Sequence, residues 1–323
     1  MMKRSCRISI WLLLFLAPWL AGQVQIAPRA GSPRKTADAG SSTTLRVNSS
    51  LVLIPAHVTT AAGSPVMGLK KENFALFEDG VPQTITHFSQ DDAPVSVGVL
   101  LDTSGSMKNK MARVSAAATG FFRFANSEDE FFLIEFNNKP KLVVPFTSDW
   151  AAISHQIERA RPFGLTALMD AIHAALNQMK HARYDRKAIL ILSDGGDNFS
   201  RRNLRQLRST LIESDVQVYA MGIFDAGDSR KRPSEERNGP RLLNQVALET
   251  GGQEFPVFNA DELSASSLEI ARDLRNQYVL GYSPANPAAD GKYRRVTLKL
   301  APPDAAGSLH AYYRRGYYAP DEE

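Results

Sequence analysis

Five residues carrying hard oxygen donors are spaced so that a folded α/β sheet would gather them. Asp102, Ser104 and Ser106 lie in Asp-Thr-Ser-Gly-Ser, Thr166 in Gly-Leu-Thr-Ala-Leu, and Asp194 in Ser-Asp-Gly-Gly-Asp-Asn. Asp102 follows the apolar run 95–101, and Asp194 comes shortly after the apolar run 188–192. In a doubly wound sheet, ligand groups collect at the carboxyl ends of the strands, near the point where the strand order reverses. Both carboxylates therefore belong at equivalent strand ends, with the Thr166 hydroxyl at a loop-to-helix junction between them. Such a set suits a divalent cation of the Mg2+ type (or Mn2+ or Ca2+), which takes oxygen ligands and, for Mg2+, keeps waters in a near-octahedral shell. If the three hydroxyls bind directly and the carboxylates bind directly or through water, the cation has few anionic ligands. It then stays electrophilic and keeps a position that an acidic side chain from a partner can fill. That chemistry is metal-bridged recognition rather than metal storage.

The elements that must position these residues follow from hydrophobic periodicity. Strands are expected over 95–101, 131–136, 142–146, 188–192 and 216–223, and helical patterns over 107–126, 150–160, 167–181, 203–214, 241–250 and 263–276. Strands apolar on both faces, alternating with helices, imply a mostly parallel sheet covered on both sides. The short step from Phe136 to Leu142 implies a hairpin, hence one antiparallel edge strand. Before this region, 45–89 shows short alternating runs with an Asp79-Gly80 hairpin signal. After it, runs at 277–282, 293–300 and 309–313 return to β character, and this tail is able to pair with the first β segment. The charged, turn-rich stretch 225–240 reads as an exposed insertion. The expected division is a signal segment 1–22, a flexible linker 23–44 rich in Pro, Gly, Ser and Thr, a small β module 45–92, the α/β domain 93–276, and a C-terminal β extension 277–323.

The motif Asp102-x-Ser104-x-Ser106, the later Thr166 and the strand-end Asp194 together resemble the metal-ion-dependent adhesion site of von Willebrand factor A domains. The resemblance covers about 95–276, and all five positions are filled, with Leu165 where the family more often has a second glycine. The flanks Leu-Phe-Glu-Asp-Gly-Val-Pro-Gln and Arg-Arg-Gly-Tyr-Tyr-Ala-Pro are similar to a group of exported bacterial proteins of this type. The resemblance implies a Rossmann-like fold and a metal-dependent protein-binding surface that takes a partner's Glu or Asp carboxylate.

Composition narrows the alternatives. The chain has 323 residues and a formal charge of +4, but Lys3, Arg4 and Arg7 account for most of the excess; without them 35 cations face 34 anions. A nucleic-acid footprint is not expected from that balance. The same three cations precede the short apolar run 8–16, and small residues follow at Ala21-Gly22, as in a cleavable export signal. The protein is therefore expected to be periplasmic or secreted, with no stable membrane span once that segment is removed. Cys6, the one cysteine, lies inside the segment, so disulfides and thiolate chemistry are excluded from the rest.

An enzyme is not expected. A Mg2+-dependent hydrolase or phosphotransferase using Asp102 as nucleophile would need a second acid where Ser104 stands, and no lysine is evident in its downstream role. A structural envelope protein with a vestigial metal site is the other alternative, with Ser104 and Ser106 serving as helix caps. Elsewhere the blander readings are preferred. His173 packs on a helix, Asp197 is a turn acid, and Arg201, Arg202, Arg205 and Arg208 form a solvated helical face after a Ser200 cap. Tyr312, Tyr313, Tyr317 and Tyr318 pack a β core.

Overall fold

Every residue from Ser96 to Asp102 is buried, as a strand must be when helices cover both faces of its sheet. The computed structural model describes residues 51–90, 92–225, 234–301 and 308–321; the expected signal and linker segments lie outside them. In chain order the elements are β1 (Val52–Thr60), β2 (Phe74–Glu78), β3 (Val81–Gln83), β4 (His87–Ser89), β5 (Ser96–Asp102), α1 (Met111–Phe122), β6 (Glu130–Phe136) and β7 (Pro140–Thr147). There follow α2 (Trp150–Arg159), α3 (Leu168–Met179), β8 (Lys187–Ser193), α4 (Leu204–Glu213), β9 (Val216–Ile223), α5 (Ser234–Thr250), β10 (Glu254–Val257) and α6 (Ala260–Arg275). Four strands close the chain: β11 (Tyr278–Tyr282), β12 (Tyr293–Leu300), β13 (Leu309–Tyr313) and β14 (Gly316–Tyr318).

The central sheet has the order β10-β9-β8-β5-β6-β7. Its strands are parallel except β7, which runs antiparallel to β6 at the edge. Successive strands step outward from β5 through β6 to β7, and the chain then returns to the other side with β8. The strand order thus reverses between β5 and β8, and the carboxyl ends of these two strands flank that crevice. One face is packed by α1, α2 and α6 through Val114, Phe121, Ile153, Ile157 and Ile270. The other is packed by α3, α4 and α5 through Leu168, Ile172, Leu207, Leu211 and Val246.

The segments on either side of this layer form two antiparallel sheets, β13-β1-β11-β4 and β14-β12-β2-β3. Alternating burial on β2 and β12 turns one face of each inward, and Ile54, Phe74, Leu76, Tyr278, Leu280 and Val296 share one core. The tyrosines largely bind this core together. Tyr282 and Tyr317 both donate to the buried Glu78 carboxylate at 2.7 Å, and Tyr312 stacks on His57 with ring centroids 4.7 Å apart.

His57 sits where β1 meets the α/β layer. Its Nε2 lies 2.6 Å from Gln253 Nε2 and 3.3 Å from Asp273 Oδ2, and Gln253 also donates to Asp273 at 3.0 Å. Three differences from the sequence expectations concern this half of the chain. β10 was not expected, since four residues with an internal proline carry little strand signal. α5 begins at Ser234, so the second half of the expected insertion 225–240 is helix despite Pro240 inside it; residues 226–233 lie outside the described set. Ser200 does not cap α4. Asn203 does, accepting from the Gln206 backbone at 3.0 Å while Gln206 answers Asn203 in a reciprocal box.

Candidate metal centre

Asp102 ends β5 fully buried, and both its oxygens are engaged. Oδ1 accepts the Ser104 amide at 2.8 Å and Oδ2 accepts the Ser193 hydroxyl at 2.5 Å. The Ser193 hydroxyl in turn accepts the Gly195 amide at 2.9 Å, so one side chain links the ends of β5 and β8. Burial, together with the nearby Asp194 charge, pushes the Asp102 carboxyl up to about 7, against the opposing pull of the Ser104 and Ser193 hydrogen bonds. The Asp194 charge opposes ionisation of Asp102 in this buried site, and a bound cation would relieve that conflict.

Ser104 and Ser106 face each other, their hydroxyl oxygens 3.1 Å apart. Neither caps a helix: the short turn at Gly105–Met107 has no side-chain cap bond from Ser104, and Lys110, the N-cap residue of α1, makes no side-chain cap bond. Thr166 is buried, and its backbone is tied to the loop that follows Asp194. Its amide donates to Asn198 Oδ1 at 2.9 Å, and its carbonyl accepts the Asn198 and Phe199 amides at 3.0 Å each. The Gly105 amide donates to the Gly164 carbonyl at 3.0 Å, so the three loops carrying the five residues are bonded to one another. Ser200 adds another tie, its hydroxyl accepting the Met169 and Asp170 amides at the start of α3.

Asp194 stands one residue beyond β8. Its backbone is pressed against α5: a Cβ on Gly239 would lie 2.0 Å from the Asp194 carbonyl oxygen, and one on Gly195, at φ +76°, would lie 2.5 Å from the Gly239 carbonyl oxygen. Backbone can approach backbone this closely only where glycine stands on both sides. The Asp194 side chain is buried and holds Lys110, whose Nζ lies 2.6 Å from Oδ2. Lys110 is itself buried, and a second carboxylate, Asp225, lies 3.9 Å from its Nζ.

Among the described residues, no group of three or more His, Cys, Asp or Glu side chains gathers in a way that could hold a metal. A centre here has to be built from two carboxylates and hydroxyls. The donor chemistry fits a hard divalent cation, because every candidate is an oxygen and two of the hydroxyls are free of capping duty. Around the crevice the loops present Phe163, Leu165 and Phe199, which are 62%, 43% and 49% exposed, with Lys108, Arg161 and Arg201 also exposed. His173 lies aside on α3, bonded to Asn177. Asp197 is half-buried with its pKa raised by burial, against hydrogen bonds from Ser200.

Lys110, Ser193 and Asn198 were missed by sequence reasoning. Lys110 falls in Met-Lys-Asn-Lys-Met, which reads as a solvated turn. Ser193 could have been found, because it immediately precedes the strand-end acid and a buried hydroxyl there must find a partner.

The strand order, the crevice at the reversal and the Asp-x-Ser-x-Ser loop define a class of α/β domain, and residues 97–196 match the family model of the von Willebrand factor type A domain. That match lies within the α/β layer and runs from β5 to just past β8. An uncharacterized protein of Synechocystis is 28% identical over 137 residues, which is 41% of this chain and 33% of that one. Another, of Borreliella burgdorferi, is 24% identical over 186 residues, covering 51% and 54%. The matched region thus spans only a third to about half of those relatives. Among solved structures, an aerotolerance-related membrane protein of Bacteroides fragilis is 20% identical, covers 56% of this chain and 98% of its own, and has a TM-score of 0.45. A von Willebrand factor type A protein of Catenulispora acidiphila is 14% identical, with coverage of 76% and 72% and a TM-score of 0.46. No helix among the described residues is long and apolar enough to cross a membrane.

Proposed function

We propose that this protein is an exported, non-catalytic recognition module whose α/β domain binds an acidic group of a protein partner through a divalent cation. Asp102, Ser104, Ser106, Thr166 and Asp194 would hold the cation, Mg2+ by donor chemistry, with Mn2+ and Ca2+ as substitutes. Bound there, the cation supplies an electrophilic position that a partner's Glu or Asp carboxylate completes. The observation that carries this reading is the pairing of the Ser104 and Ser106 hydroxyls beside two buried carboxylates, with neither serine spent on a helix cap. The chain's own residues do the rest. Ser193 fixes the Asp102 carboxylate, Asn198 and Ser200 hold the Thr166 loop, and exposed Phe163, Leu165 and Phe199 offer apolar contact while Lys108, Arg161 and Arg201 favour an acidic partner. The expected export signal at 1–22 supports a periplasmic or secreted location.

A second reading is favoured by one observation. Lys110 already neutralises Asp194, as in a structural envelope protein whose metal site is vestigial. The two are separated by titrating chelator-treated protein with Mg2+, Mn2+ and Ca2+, followed by calorimetry and thermal melting, beside Asp102→Ala. Saturable binding that raises the wild-type melting temperature and is lost in the variant supports the metal-dependent module. Identical, flat responses from both proteins leave the vestigial site as the reading.

A further inference from the structure

Lysine is a strongly hydrated point charge, seldom buried unless paired. Lys110 is buried, and its ammonium is aimed at one carboxylate of the candidate centre, 2.6 Å from Asp194 Oδ2. It follows closely on the short turn at Gly105–Met107, which leads out of the Ser104 and Ser106 loop and in which Met107 is buried. A second acceptor lies within reach of the same nitrogen. Asp225 Oδ2 is 3.9 Å away, on an exposed side chain that also receives Arg113 at 2.5 Å. Asp102 and Asp194 would together carry two negative charges into a dry crevice, and the ammonium removes one of them.

We infer that Lys110 is a tethered counter-cation of this centre: its ammonium compensates Asp194 in the metal-free protein and competes with a divalent ion for that carboxylate. The inference rests on the metal-site reading above and adds to it a residue that sets how tightly the ion is held. Removing one partner of a buried ion pair leaves an uncompensated charge and is strongly destabilising, so Lys110 keeps the crevice folded while it is metal-free. The same positive charge would oppose a divalent ion bound at the same carboxylate. At an effective dielectric of about 20, that opposition is worth roughly tenfold or more in affinity. When a divalent ion takes Asp194, Asp225 is the carboxylate placed to receive the ammonium.

The test is Mn2+ binding to the full chain by calorimetry, with melting curves in chelator and in excess Mn2+. Wild type is compared with Lys110→Met, which keeps the length without the charge, and Lys110→Gln, which can still donate a hydrogen bond to Asp194. Both variants are expected to bind Mn2+ about tenfold tighter or more, to melt lower than wild type in chelator, and to gain more from Mn2+. If Lys110→Met unfolds in chelator, recovery of its circular dichroism on adding Mn2+ reports the same coupling, and Lys110→Gln supplies the affinity. Adding Asp102→Ala to the tighter variant must abolish the binding. Should wild type bind Mn2+ in an Asp102-dependent way while neither variant gains affinity, the role of Lys110 is overturned and the metal site stands. Should wild type and both variants fail to bind at all, the metal-site reading and the inference fall together.

Discussion

Replacing His57 and Asp273 one at a time should tilt the stability of the protein with pH in opposite directions. Both side chains are buried at the junction of β1 with α6, and Nε2 and Oδ2 approach to 3.3 Å, the spacing of an ion pair. Burial nevertheless drives both toward neutrality. It lowers the His57 imidazole to about 3 and raises the Asp273 carboxyl to about 7, against the Gln253 hydrogen bond and with the Glu269 charge adding to it. Neutral His57 also fits the bonding, since its Nε2 accepts from Gln253 while Nδ1 is buried without a partner.

The signs then oppose. Below pH 6.5 the unfolded chain protonates His57 and the folded protein does not, so that term destabilises the fold as pH falls. Above pH 3.8 the unfolded chain ionises Asp273 and the folded protein does not, so that term destabilises it as pH rises. Each shift exceeds three units, and one unit is worth about 1.4 kcal/mol. Between pH 4.5 and 6 the two slopes cancel in the wild type. Over that window His57→Gln should lose about 2 kcal/mol relative to wild type as pH rises, and Asp273→Asn should gain about the same. Urea melts at pH 4.5, 5.25 and 6 read the slopes, and nitrogen shifts of the ring at pH 5 read its charge. Variants that run parallel to wild type would refute burial as the cause, and an imidazolium at pH 5 would replace the neutral pair by an ionised one.

Two further substitutions probe how the candidate centre is supported. Gly195→Ala puts a Cβ into a positive-φ position and against the Gly239 carbonyl; a loss of about 2 kcal/mol or more in urea melts should accompany weakened metal binding, and an unchanged melt would mean that the α5 contact yields. Ser200→Ala removes the hydroxyl that accepts the Met169 and Asp170 amides, which should cost about 1 kcal/mol. Hydrogen exchange should then quicken at the start of α3 and in the Thr166 loop but not in α4, where the sequence alone had placed the cap; faster exchange in α4 instead would contradict the observed assignment.

The parts of the fold legible in the sequence were those written in local period. β5, β8 and β9 are runs with no polar interruption deep enough to confuse them, and Asp102 and Asp194 are conspicuous because a charge immediately follows such runs. The hairpin into β7 was legible from the short spacing alone. What stayed hidden depends on contacts between distant residues. Ser200 and Asn203 are both good caps, and only the approach of α3 decides that one serves α3 and the other α4. Lys110 looks solvated among its neighbours, and its burial depends on an acid 84 residues further on. β10 exists because β9 offers it an edge, with Glu254 opposite Ala220 and Val257 opposite Ile223.

The two antiparallel sheets have a consequence for the order in which the molecule can assemble. β1 is held between β11 and β13, both from the far end of the chain, and the bond that joins Tyr282 to Glu78 closes across 204 residues. The α/β domain, by contrast, is continuous in sequence and can complete its core before the last strands arrive. A chain emerging from its amino end must therefore carry β1 with both edges unpaired, and β2 paired only to β3, until β11, β12 and β13 have been delivered. Those early strands are the segment most exposed to wrong pairing during assembly, and the last strands act as the latch that ends that exposure.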